Sequence, residues 1–153
     1  MMKLRSFLAV LSIVGISALM ISCAPEACFE ETNAYLKASF YISNEEQVAP
    51  DSLTVFGLGQ TTKIYNKAGN VQPALLPLNA SAGSCIYIIR INGLNDTIQF
   101  LYSSYPHLIS KECGYTFYHI LDLPVYTQNN IDTILIINRS ITTANEENIR
   151  IFY

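Results

Sequence analysis

Tryptophan is absent, histidine occurs twice, and only nine of 153 residues are Lys or Arg, against twelve Asp or Glu. Each shortage removes a class of function. Nucleic-acid binding rests on clustered cations facing phosphates, and a chain of net charge −3 without such a cluster does not supply them. Two of the cations, Lys3 and Arg5, lie in the first 22 residues, so the remainder holds seven basic against twelve acidic residues, or −5. Electrostatic attachment to anionic lipid through a polybasic patch is excluded on the same count. His107 and His119 share no His-x-His spacing, and the four cysteines contain no Cys-x-x-Cys pair. There is accordingly no local metal signature, and neither a metal nor a cofactor is expected. Gly57-Leu58-Gly59 lacks the rest of a phosphate-binding fingerprint. No Gly-x-Ser-x-Gly elbow is present, so a triad of a serine with His119 and Asp122 would depend on long-range convergence of residue types that nearly any chain contains. His119 reads instead as a packed or hydrogen-bonded strand residue. The pairs Glu30-Glu31, Glu45-Glu46 and Glu146-Glu147 fall in polar segments between strands and read as solvated turns. No catalytic residue is assigned, and the chain is read as non-enzymatic.

What is present is concentrated first at the amino terminus. Two positive charges in Met1 to Arg5 precede the 15-residue uncharged run Phe7 to Ile21, which ends at Ser22-Cys23. This is the charged, apolar, small-residue order of a secretory signal, and the run is shorter than the roughly 20 residues that span a bilayer. Met20-Ile21-Ser22-Cys23 resembles a bacterial lipobox, with Met20 in place of the commoner Leu. That resemblance implies cleavage before Cys23 and attachment of lipid to its thiol. Residues 1–22 are thus expected to be a lipoprotein signal peptide, 23–33 a short lipidated tether, and 34–153 the folded domain. The 131 residues left after cleavage suffice for one core.

Ten Tyr, seven Phe and many Ile favour strands, because aromatic and β-branched side chains suit a pleated surface. Leu36, Ala38, Phe40 and Ile42 alternate with Tyr35, Lys37, Ser39 and Tyr41, the period-two pattern of a half-buried strand. Further strands are predicted over Ser52 to Leu58, Ser84 to Ile91, Thr97 to Ser103, Gly114 to Ile120, Ile131 to Asn138 and Ile149 to Tyr153. Lys63 to Tyr65 and Ala74 to Leu78, the latter flanked by Pro73 and containing Pro77, suit edge or irregular segments. Asn92 to Asp96 reads as a hairpin loop of about five residues. Seven to nine short strands without helical periodicity predict an all-β, antiparallel two-sheet sandwich of immunoglobulin-like type. Tyr102 to His107 is the most interaction-like loop, since tyrosine combines a rigid apolar face with a polar tip.

With Cys23 consumed by lipid, Cys28, Cys85 and Cys113 remain in a compartment that permits disulfides. Cys85 shares a strand face with Tyr87, Ile89 and Ile91 and reads as a small buried hydrophobe. Cys28 and Cys113 lie at polar strand margins, and a Cys28 to Cys113 bond is predicted. Five residue steps from Cys23 to Cys28, at most about 3.6 Å each, would then hold the domain within roughly 18 Å of the bilayer.

The chain also resembles a family of small Bacteroidota lipoproteins forming a domain of unknown function. The resemblance rests on Cys28, Asp96-Thr97-Ile98, Ser110-Lys111-Glu112-Cys113-Gly114 and Asn148-Ile149-Arg150-Ile151, and spans nearly the whole processed chain. It implies a Gram-negative envelope and no assigned activity. Exported proteins of that group carry O-glycans at Asp-Ser/Thr sequons, which makes Ser52, Thr97 and Thr133 candidate acceptors. The function expected is a lipid-anchored binding or accessory module, in the outer membrane, whose partner is a neighbouring membrane protein or a glycan. The alternative is a structural subunit of an outer-membrane uptake or secretion assembly.

Overall fold

The computed structural model describes residues 27–43 and 45–153; the expected signal peptide and the lipid site Cys23 lie outside them. The described residues contain no helix. Their strands are β1 (Leu36–Tyr41), β2 (Leu53–Gly57), β3 (Lys63–Ala68), β4 (Ala74–Leu76), β5 (Ser84–Ile91), β6 (Leu94–Ser110), β7 (Gly114–Leu121), β8 (Val125–Tyr126), β9 (Thr133–Ile136), β10 (Ser140–Ile141) and β11 (Ile149–Phe152). A four-stranded sheet ordered β4-β1-β11-β9 packs against a seven-stranded one ordered β10-β7-β6-β5-β2-β3, with β8 paired to β6. The expected all-β two-sheet sandwich is the fold. The strand number exceeds nine by β8 and β10, pairings of only two residues each.

One pairing departs from an all-antiparallel arrangement. β1 and β11 run parallel, with Ala38 opposite Ile149 and Tyr41 opposite Phe152. These two strands form the centre of the small sheet, so the first and last strands carry its core. Leu36, Ala38, Phe40, Ile149 and Ile151 are fully buried, each large side chain contributing about 1.5–3 kcal/mol of transfer free energy. β1 is not half-buried as its alternation implied, since Lys37, Ser39 and Tyr41 on the other face are covered too. Tyr41 packs on Phe152 at 5.4 Å between ring centroids and lies beneath the Arg150 guanidinium at 4.9 Å. Beyond β4, the Gln72 amide extends the edge of β1 by accepting the Phe40 N–H at 3.0 Å and donating to its carbonyl at 3.1 Å. β3 and β4 are edge strands, as their prolines and polar residues suggested.

Two predicted loops are strand. Asn92 and Gly93, at φ 51° and 96°, make a two-residue turn with Ile91 opposite Leu94, so the five-residue loop shrinks to the pair that tolerates positive φ. Tyr102 to His107 is not a loop: β6 continues through it, pairing Tyr102 with Leu121 and His107 with Thr116. Pro106 misled the reading; as the residue lacking an N–H it sits on a strand paired there only with β7.

Candidate functional site

β6 runs 17 residues, about 55 Å at 3.3 Å per residue, and changes partner midway. β5 pairs with it only as far as Leu101, whereas β7 takes over from Tyr102 to Ser110. β10 reaches β7 only at His119 and Ile120. Past these points the β6–β7 hairpin is a two-stranded arm. At its tip Gly114 adopts φ 73° and the Cys113 N–H donates to Ser110 Oγ at 3.0 Å. Cys113 there forms the expected disulfide with Cys28, spanning 85 residues. A second contact follows along the tether, where the Thr116 hydroxyl donates to the Thr32 carbonyl at 2.6 Å. The amino-terminal segment is therefore fastened to the arm rather than to the body of the sandwich.

One face of the arm prolongs the inner face of the large sheet. Its opposed pairs, outward from the core, are Tyr102 with Leu121, Ser104 with His119, Pro106 with Phe117, and Leu108 with Tyr115. Ser104 Oγ lies 2.8 Å from His119 Nδ1, and the buried imidazole meets the Tyr102 ring edge-on at 5.4 Å. Burial holds His119 below the ordinary histidine range, which favours the neutral ring. A cavity of about 290 Å³ lies over it, between tether residues Thr32 to Tyr35, the Pro77–Leu78 segment, and Thr116, Phe117 and His119. Asp122, the carboxylate nearest to His119 in sequence, does not join the pair. Its carboxylate accepts the Leu123 N–H at 2.8 Å and lies 3.5 Å from Arg139. Among the described residues no carboxylate is bonded to the imidazole, so the pair there lacks the third member of a triad. His119 is a hydrogen-bonded strand residue. His107 stacks on Tyr118 at 4.1 Å on the opposite face of the arm.

Asp96 is the buried charge of the molecule's other end. Its Oδ1 accepts the Thr127 hydroxyl at 2.6 Å and the Asn129 N–H at 2.8 Å, and its Oδ2 accepts the N–H groups of Asn130 and Ile131 at 2.8 and 2.9 Å. Burial alone would raise its pKa, but these bonds together outweigh it and leave the carboxyl below its usual value. The carboxylate thus gathers the 127–131 turn against β6. Of the three candidate glycan acceptors, Thr97 follows Asp96 within a strand paired on both sides, its N–H bonded to Thr127 Oγ1. Ser52 precedes β2 and donates its N–H to Asn92 Oδ1, and Thr133 opens the edge strand β9.

Cys85 is a free, half-buried thiol, pushed up to about 11 by burial against weaker opposing bonds from Tyr102 and Tyr87. The Tyr87 hydroxyl donates to the Pro77 carbonyl, and the Tyr102 hydroxyl bonds both backbone groups of Asn79. Among the described residues no group of three or more His, Cys, Asp or Glu could hold a metal ion. The acidic pairs are partly structural: Glu147 accepts from Arg150 Nε at 2.9 Å and from the Tyr41 hydroxyl at 3.2 Å. The inward roles of Asp96 and Ser104 are not read from the sequence, although their even-numbered register with Ile98, Phe100 and Tyr102 marks polar groups on an apolar face.

A family model described as a family of unknown function (DUF6452) matches residues 52–153. The matched span includes Asp96-Thr97-Ile98, Ser110 to Gly114 and Asn148 to Ile151, but begins beyond β1 and Cys28. No curated protein and no solved structure matches the chain.

Proposed function

The chain belongs to that family of unknown function, and we propose that it is a lipid-anchored lipoprotein of a Gram-negative cell envelope, of Bacteroidota type. In this reading residues 1–22 direct export and Cys23 carries the lipid. The domain then serves as a non-enzymatic binding or accessory module at the outer-membrane surface. The observation that carries it is the Cys28–Cys113 bond, five residues beyond Cys23. Such bonds persist in oxidising compartments and are rare where glutathione and thioredoxin keep thiols reduced. A structural disulfide next to a signal-like segment is consistent with an exported chain, since the bond needs an oxidising compartment to persist. Two or more acyl chains, each methylene contributing about 0.8 kcal/mol, give an anchor far firmer than one.

Fatty-acid labelling of cells expressing the full chain, with Cys23→Ala as the comparison, tests the anchor. Label and membrane retention are expected in the first and lost in the second; equal retention of both would overturn it. Cross-linking and mass spectrometry of the native protein then address the partner, for which a membrane neighbour is expected. A stoichiometric membrane protein that co-purifies would make the chain a subunit of a larger assembly.

A further inference from the structure

The arm carries an apolar surface that the rest of the fold leaves uncovered. In the body of the sandwich the corresponding face is core, with Tyr102 and Leu121 buried beneath the small sheet. Two residue pairs farther out the covering sheet has ended, and Leu108 is 47% exposed, Phe117 47% and Tyr115 72%. Phe29, next to the disulfide on the tether, is 91% exposed. Burying these large apolar side chains would be worth about 1.5 kcal/mol or more for each, so a cluster of them at one hairpin tip suits an apolar partner.

We infer that the exposed face of the β6–β7 arm, formed by Leu108, Tyr115 and Phe117 together with Phe29, is a bilayer-docking surface that seats the domain on the membrane holding its lipid anchor. This rests on the lipid-anchor reading and deepens it. The disulfide decides the occupant. Cys113 at the tip of the arm is bonded to Cys28, and the five residue steps back to Cys23 span at most about 18 Å. Of all surfaces of the molecule, the arm tip is the one covalently confined beside the acyl chains. Its chemistry matches that position. Tyrosine and phenylalanine place an apolar ring among acyl chains, and tyrosine keeps its hydroxyl at the headgroup level. Glu30, Lys111 and Glu112 are exposed around the tip, so charged groups rim the aromatic patch and keep the insertion interfacial. Docking by the arm also fixes orientation: the Asn92–Gly93 turn, at the other end of β6, points away from the membrane.

Because the chain has no tryptophan, a single introduced one reports its own surroundings. The full chain, purified from membranes as Tyr115→Trp and separately as Leu94→Trp, is checked by intact mass for acylation. Each is then reconstituted into phosphatidylethanolamine and phosphatidylglycerol vesicles with brominated acyl chains. Leu94 lies 14 residues from Leu108 along β6, about 46 Å away. Blue-shifted emission that is quenched by the brominated lipid is expected for Tyr115→Trp, and unshifted, unquenched emission for Leu94→Trp. An acylated protein whose Tyr115→Trp emission is unquenched overturns the docking and leaves the anchor standing. If that emission is blue-shifted yet unquenched and the protein is a dimer, a second copy is the occupant and the docking is likewise overturned. A mass without acyl groups overturns the anchor and the docking together.

Discussion

The carboxylate of Asp96 on β6 accepts the backbone N–H of Ile131, 35 residues further along the chain, at 2.9 Å. With its bonds to Asn129, Asn130 and Thr127 it replaces the sheet pairing that the 127–131 turn lacks. Removing it by Asp96→Ala leaves buried donors unpaired and is expected to destabilise the domain by about 3 kcal/mol or more. Asp96→Asn is expected to cost nearly as much, because its amide donors would face backbone N–H groups. Urea unfolding measures both, and an unchanged midpoint for either would contradict the assignment.

Acid should weaken the fold in two separate ranges. Burial holds His119 below its ordinary pKa, so its stabilisation is complete above about 6.5 and declines as pH falls through the lower folded value. For Asp96, burial works upward, yet the bonds it accepts lower the pKa; its stabilisation is complete above about 3.9 and is lost as pH falls below that. Thermal melts across a buffer series are expected to show both declines. His119→Gln should remove the upper one and leave the lower; a profile unaltered by that substitution would count against a buried neutral imidazole.

The cysteines are expected to separate cleanly by reactivity. Cys85, raised to about 11, carries roughly one thiolate per thousand molecules at pH 8 and should alkylate slowly until the domain unfolds. Non-reducing peptide mapping should link Cys28 to Cys113. Their replacement by serine is expected to lower stability by as much as about 4–5 kcal/mol, the chain-entropy figure for a loop of 85 residues. Recovery of Cys85 in a linked peptide would refute this pairing.

A fragment confined to residues 52–153, the span matched by the family model, is expected not to fold. It lacks β1, the partner of β4 and one of the two partners of β11. Deleting residues 149–153 should have the same effect, since it removes Ile149 and Ile151 from the core. Circular dichroism and heat-capacity scans distinguish a cooperative domain from an unfolded fragment; a cooperative transition in the first would show that β1 is dispensable, and in the second that β11 is.

The parts of the fold that were legible in the sequence are those written in local alternation. Leu36 to Phe40 and Cys85 to Ile91 show a face directly, and the odd cysteine count left few ways to pair Cys28 and Cys113. Strand continuation was not legible. Pro106 looks like a break, yet β6 passes through it because at that position β7 supplies the only sheet neighbour. Nor was the role of Asp96, whose acid ahead of Thr-Ile resembles the close of a turn. The three N–H groups it accepts lie more than thirty residues away, and only the folded chain brings them near. Ser104 and His119 face each other across a ladder whose register depends on where the hairpin tip falls.

The parallel pairing of β1 with β11 has a consequence for biosynthesis. β1 ends at Tyr41 and β11 begins at Ile149, so more than a hundred residues must be delivered before β1 meets its longer-paired neighbour. Closing so large a loop is slow, since its entropic cost precedes any gain from contact. A chain emerging amino end first can pair β1 with β4 early but leaves the other edge of β1 open until β11 arrives. The small sheet, and with it the core of the sandwich, closes only when the last strand is delivered, so β11 acts as a timer for completion of the fold.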